Sequence, residues 1–146
     1  IMKISSEKLV SMTYTIYEGD NLLESVATPV SFIFGQETNL LPIVESALHG
    51  KEKNDDISIE VSPELGFGLR DDSLIFTDSI DNVPVEYRKL GMQIEFANDK
   101  GTTRKFRVIS VDNGKITFDG NHIFAGKHLV YKIKIVDVAE TEKVKS

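Results

Sequence analysis

Between Gly35 and Gly50 the apolar residues Leu40, Ile43, Val44, Ala47 and Leu48 recur at steps of three and four, which puts them on one face of a helix. Thr38 or Asn39 can cap its start, Pro42 fits a first turn where a missing N–H costs little, and Gly50 supplies a stop. Nearly everywhere else the pattern is that of strands. Residues 9–17 are rich in β-branched and aromatic side chains, end at the turn Gly19-Asp20-Asn21, and can pair with residues 22–26. Pro29 introduces a short strand over residues 30–34. Residues 57–61 alternate apolar and polar. So do residues 129–136, with Leu129, Tyr131, Ile133 and Ile135 on one face and Lys132 and Lys134 on the other. A single helix with an apolar face has to bury it, so the expected fold is α+β: a curved antiparallel β-sheet wrapped on one helix.

The texture changes after Arg70. Residues 74–77 form a brief strand, residues 78–83 one helical turn, and residues 91–96 a further strand that leads to a turn at 98–101. Residues 106–112 and 115–118 flank Asn113-Gly114, the strongest short hairpin signal in the chain. Residues 71–118 can therefore make a second, small β-rich unit. Residues 51–56 read as polar loop, Phe67 sits between two glycines in a loop after Pro63, and residues 121–127 are irregular. The polar tail from Glu140 to Ser146 is expected to fray.

Composition narrows the chemistry. A chain of 146 residues that is 40% hydrophobic and 27% charged can bury a real core. With 17 Lys and Arg against 23 Asp and Glu, it lacks the positive footprint that nucleic acid requires. The densest basic stretch, residues 100–107, reads as the solvated face of a hairpin. There is no cysteine, hence no disulfide and no thiol chemistry. No secretion signal and no long apolar run appear, so no membrane partner is expected and the cytoplasm is the expected location. His49, His122 and His128 have no metal-binding spacing, and ordinary loop roles are favoured over a soft metal site. Gly66-Phe67-Gly68 lacks the third glycine of a phosphate loop, and no serine sits in a nucleophile elbow. Glu24 and Glu45 are the acids nearest apolar stretches, but they do not form a catalytic pair. An enzyme built from these residues works without a nucleophile, a metal or any other cofactor.

Read together, several stretches resemble the FKBP-type peptidyl-prolyl isomerases. They are the strand that bears Tyr14, the run PVSFIFG at 29–35, and Leu40-Leu41-Pro42-Ile43-Val44-Glu45 ahead of Ala47-Leu48-His49-Gly50. Pro63-Glu64-Leu65-Gly66-Phe67-Gly68 is similar to that family's flap entry, Pro-Glu-x-Ala-Tyr-Gly. The run DGNHIFAGK at 119–127, followed by Leu129-Val130-Tyr131, is similar to the Asn-His-Pro-Leu-Ala-Gly signature of the SlyD/SlpA branch. Departures from the pattern are Phe67 for a tyrosine, Glu24 for an aspartate, Leu23 for an aromatic, Val44 for a tryptophan, and Ile43 and Ile123 for a glycine and a proline.

The resemblance implies an FKBP-like isomerase domain over residues 1–70 and 119–146, with an insert-in-flap chaperone domain over 71–118. It implies isomerisation of Xaa–Pro bonds in an apolar groove walled by Tyr14, Leu23, Val30, Leu40, Leu41, Val44, Phe67 and Tyr131, with Glu24 as a polar contact at its rim. Leu40, Leu41 and Val44 would be core residues in any protein with this helix, and the two tyrosines are also compatible with a plain core role. In the insert, Met92, Ile94, Phe96, Phe106, Val108 and Ile109 can line a hydrophobic groove for an extended chain, or form that domain's own core. The implied partners are unfolded or proline-containing polypeptides and macrolide-type FKBP ligands, with the protein a monomer. The departures leave a second reading open: a weak or inactive isomerase that serves mainly to hold unfolded chains.

Overall fold

Besides three single 3-10 turns (Asp72–Leu74, Ile80–Asn82 and Val85–Tyr87), eight strands and one α-helix make up the regular structure among residues 1–141, the part of the chain that the computed structural model describes. In chain order they are β1 (Leu9–Glu18), β2 (Asn21–Ile33), α1 (Pro42–Leu48), β3 (Asp56–Val61), β4 (Ile75–Ser79), β5 (Gln93–Ala97), β6 (Thr103–Asp112), β7 (Lys115–Asp119) and β8 (Leu129–Ala139). They fall into two units. The larger is Ile1–Gly68 with Gly126–Ser146, and the smaller is the continuous segment Leu69–Ala125.

In the larger unit β2, β1, β8 and β3 form an antiparallel sheet in that order. Alternation along β8 buries Leu129, Tyr131, Ile133 and Ile135, and a bulge at Val136 then shifts the buried position to Val138. On β1 the same face carries Val10, Met12 and Ile16, all buried. Ile59 and Val61 of β3 complete the apolar face, and Val44 and Leu48 of α1 are buried in the same core.

Two expectations change here for a stated reason. The helix begins at Pro42, not near Thr38, because a residue before proline is pushed to extended backbone, and Leu41 is extended (φ −61°, ψ 140°). Leu40 therefore precedes the helix. Thr38 provides no cap; its hydroxyl accepts from the Leu40 N–H and donates to Glu45, both at 3.3 Å. Pro29 does not separate two strands either. β2 is one strand of 13 residues at the edge of the sheet, and its register against β1 jumps between Met12↔Val30 and Tyr14↔Val26. A proline without an N–H is tolerated at such an edge irregularity. At the other end, Glu140 pairs with Lys8 at 2.7 Å and Thr141 is buried, so the tail does not fray at its start. Its residues 142–146 lie outside the described part.

The smaller unit is a second antiparallel sheet in the order β4, β7, β6, β5. Asn113 and Gly114 both have positive φ (50° and 73°), the backbone that a tight hairpin turn between β6 and β7 demands. Val83, Val108, Ile116 and Phe118 form its core, with Met92, Ile94 and Phe106 packed against them. The basic run 100–107 is not purely solvated. Arg104 reaches the Gly120 carbonyl, while Arg107 reaches the Asn121 carbonyl and lies 3.7 Å from the Asp119 carboxylate. Gly120 itself must stay small, because a Cβ there would lie 2.6 Å from the Phe106 ring.

The two ends of this unit are tied by polar contacts. Asp119, almost fully buried, receives Arg70 at 2.6 Å and both the backbone and side-chain N–H groups of Asn121. Asn121 in turn accepts from the Asp71 N–H and donates to the Asp71 carbonyl. Burial pushes the Asp119 carboxyl up, but the bonds from Arg70 and Asn121 outweigh it and hold the group below its ordinary 3.8. That contribution to stability is complete above the ordinary carboxylate range and is lost as pH falls below about 3.8 through the folded value. Asp119→Asn should destabilise this unit by about 2–3 kcal/mol, since it strands Arg70 and unbalances Asn121. Hydrogen exchange at neutral pH should show faster exchange confined to residues 69–125, and an unchanged profile there would refute the role assigned to the carboxylate.

Candidate active site

Strand register assembles the site. Ile16 lies opposite Glu24 on β2 and Tyr131 on β8, and Tyr14 lies opposite Val26 and Ile133. Directly paired residues share a face, so Glu24, Ile16 and Tyr131 form one row and Val26, Tyr14 and Ile133 the next. This is the apolar face, the one that buries Ile16 and Ile133. The Tyr14 and Tyr131 rings stack with centroids 6.3 Å apart and planes 22° apart. Tyr131 is buried, Tyr14 half-buried and Glu24 exposed, so the group grades from dry to wet across three side chains.

The electrostatics follow from that gradient. Burial, then the charge of the neighbouring Glu24 carboxylate and a hydrogen bond to it, push the Tyr14 hydroxyl above its ordinary 10. Burial, with smaller contributions from Tyr14 and Glu24, pushes Tyr131 up to about 12. Both phenols are neutral donors throughout the physiological range, so neither can serve there as a general base.

The other residues singled out from the sequence have distinct surroundings. Leu23 is half-buried beside the register shift between Ile16 and Tyr17, and Val30 is exposed opposite Met12. Leu40 and Leu41 are half-buried on the approach to α1. Val44 has no exposed surface at all and so offers no face to a ligand. Phe67 is half-buried in a turn closed by the Gly68 N–H on the Pro63 carbonyl at 2.7 Å. Gly66 before it has no room for a side chain, since a Cβ would lie 2.9 Å from Val61. Val26 and Ile133 complete the tyrosine rows and were not singled out; their signal is the period of two that runs on from Glu24 and from Tyr131.

A hollow of about 510 Å³ touches Tyr14, Val26 and Ile133 of the second row. Its rim is Thr13, Thr15, Lys132 and Lys134, which alternate with the buried positions and so face outward.

In the smaller unit, Ile94, Phe96, Phe106 and Val108 share one face by register. Val108, Met92, Ile94 and Phe106 are committed to the core. Phe96 is 38% exposed, and with it stands Phe76, 40% exposed, which sequence reasoning missed. Phe76 pairs with Phe118 and contacts Phe96, Phe106 and Phe118 at 5.1–5.6 Å. Its signal was available in the short strand 74–77, too short to reveal which side faces inward. Beside this aromatic group, a hollow of about 340 Å³ is lined by Leu74, Phe96, Asn98, Arg104 and Phe106, among others. Ile109 is exposed at the bulge in β6.

An antiparallel sheet with one short helix is consistent with an FKBP-like α+β fold. No family model matches the chain. It is, however, 30% identical over 146 residues to the FKBP-type peptidyl-prolyl cis-trans isomerase SlyD of Treponema pallidum, covering 95% of this chain and 80% of that protein. The SlyD proteins of Yersinia pestis and Escherichia coli K12 are 27% and 26% identical over 143 residues, covering 95% of this chain and 72% of theirs. The chain belongs to the FKBP-type peptidyl-prolyl cis-trans isomerase family, in its SlyD branch.

The tyrosine pair yields a measurable alkaline signature. The folded chain keeps protons on Tyr14 and Tyr131 that an unfolded chain gives up near pH 10. Their contribution to stability is therefore complete below about pH 10 and declines as pH rises toward 12. Ultraviolet titration of the folded protein should show a late-ionising phenol near 12, absent in Tyr131→Phe; four ordinary titrations near 10 would refute the environment described.

Proposed function

We propose that the larger unit catalyses cis/trans isomerisation of Xaa–Pro bonds in an apolar groove on its tyrosine-bearing face. We further propose that the smaller unit is an insert-in-flap domain that holds unfolded polypeptide. The observation that carries the first part is the stacked Tyr14–Tyr131 pair with Glu24 at its wet end. Prolyl rotation breaks amide resonance against a barrier of ~18–20 kcal/mol and takes tens of seconds unaided. The planar amide is more dipolar than the twisted one, so a site that withholds water favours twisting. Lowering the barrier by ~4 kcal/mol accelerates the reaction about a thousandfold, and this needs walls and one or two neutral donors but no base, nucleophile or metal. Tyr131 and Tyr14 supply the donors; Leu23, Val30, Leu40, Leu41 and Phe67 supply apolar surface, while Val44 is buried in the core. Macrolide-type FKBP ligands would compete for the same surface.

The exposed pair Phe76 and Phe96 supports the second part, because aromatic surface left open on a small domain suits an extended apolar segment. Clients are unfolded or proline-containing polypeptides, held by one unit and isomerised by the other, in a cytoplasmic monomer. Among the described residues no helix is long and apolar enough to cross a membrane.

The test pairs two substrates. A proline tetrapeptide and a protein whose refolding waits on proline should both be accelerated by the intact chain. Phe76→Ala with Phe96→Ala should cut the refolding effect about tenfold while peptide turnover persists. Suppressed aggregation without acceleration of either substrate would leave a pure holdase and overturn the enzyme reading. Phe67→Ala should lower peptide kcat/KM several-fold; unchanged turnover would remove Phe67 from the groove.

A further inference from the structure

Glu24 is an exposed carboxylate next to two aromatic rings, and none of the ion pairs among the described residues includes it. Other acids and bases of the same unit are matched with each other: Glu18 with Lys127 at 2.9 Å, and Asp56 with Lys134 at 3.8 Å. Lys132, close by on β8, lies on the outer face over the Tyr17 ring at 5.1 Å and does not serve Glu24. The unit as a whole leans the same way. Of the 17 Lys and Arg in the chain, eight lie in residues 69–125; the other nine share the larger unit with 14 of the 23 acids.

An exposed carboxylate beside two neutral phenols, with no ion-pair partner among the described residues, attracts a cation. Resting on the isomerase reading of this site, we infer that Glu24 makes the groove select prolines flanked by a lysine or arginine. Glu24 is hydrogen-bonded to Tyr14, a wall of the groove on that reading, so the preference belongs to residues immediately before or after the proline. The acidic field of the unit adds a longer-range attraction that salt screens within about 10 Å.

The test uses two peptide series, Ala-Xaa-Pro-Phe and Ala-Leu-Pro-Xaa, with Xaa as Lys, Leu or Glu. In at least one series kcat/KM for Lys over Glu should be roughly three- to tenfold at low salt, as expected for unit charges ~6 Å apart at the dielectric of water. The ratio should shrink in 0.5 M salt. Glu24→Gln should bring it close to one, Glu24→Lys should invert it, and Glu24→Asp should retain it. The ratio is taken within each variant, so a change in overall turnover does not confound it. Lys and Glu peptides turned over equally by the unaltered protein would overturn the inference while sparing the isomerase reading. So would a preference that survives Glu24→Gln. Failure to turn over even the Leu peptides would sink both.

Discussion

The pairing of β1 with β8 is the constraint on which the larger unit depends. These strands come from opposite ends of the chain, and their hydrogen bonds must form against the entropy of closing everything between them. The return is the burial of Val10, Met12, Ile16, Tyr131, Ile133 and Ile135 on a shared face. A slip by one residue would turn each of these to solvent, so hydrophobic burial itself enforces the register. The bulge at Val136 lets the strand continue past Ile135 and still bury Val138. The meeting of Tyr14 and Tyr131 is thus a by-product of core packing: the residues that secure the sheet also set the rings against each other.

The smaller unit works under the same rule with less material. One face of its sheet is apolar, but the segment between β4 and β5 contributes only Val83 among its buried core residues. Phe76 and Phe96 are left half open. A small domain with too little chain to cover its sheet must leave apolar surface somewhere, and this one concentrates it in mutually packed rings.

Strand content and the face of each strand in the larger sheet were legible because alternation is a direct record of burial. Residues 129–136 announce the buried side of β8 through Leu129, Tyr131, Ile133 and Ile135. Helical periodicity located α1 but overran its start, since Leu40 continues the spacing while Pro42 forbids the backbone that would include it. Pro29 misled in the other direction: a proline breaks a strand only where its missing N–H is needed, and an edge strand needs it less. Of the site, the tyrosines and Glu24 were legible through resemblance to a family, and their contact follows from register, which composition does not encode. Phe76 was not found because a four-residue strand carries too few alternations to show its inner side. Asp119 and Arg70 escaped notice because a buried ion pair is a fact of three dimensions, invisible to any window along the chain.

The contacts among Arg70, Asp71, Asp119 and Asn121 have a topological consequence. They hold Arg70 and Asp71, near the start of a 57-residue segment, within bonding distance of Asp119 and Asn121 near its end. To the chain that carries it, such a segment behaves as a short, pre-closed loop, since its own bonds meet the entropic cost that a slack linker would impose. A cassette with its ends already joined can be gained, lost or exchanged in evolution with little disturbance to the sheet that hosts it.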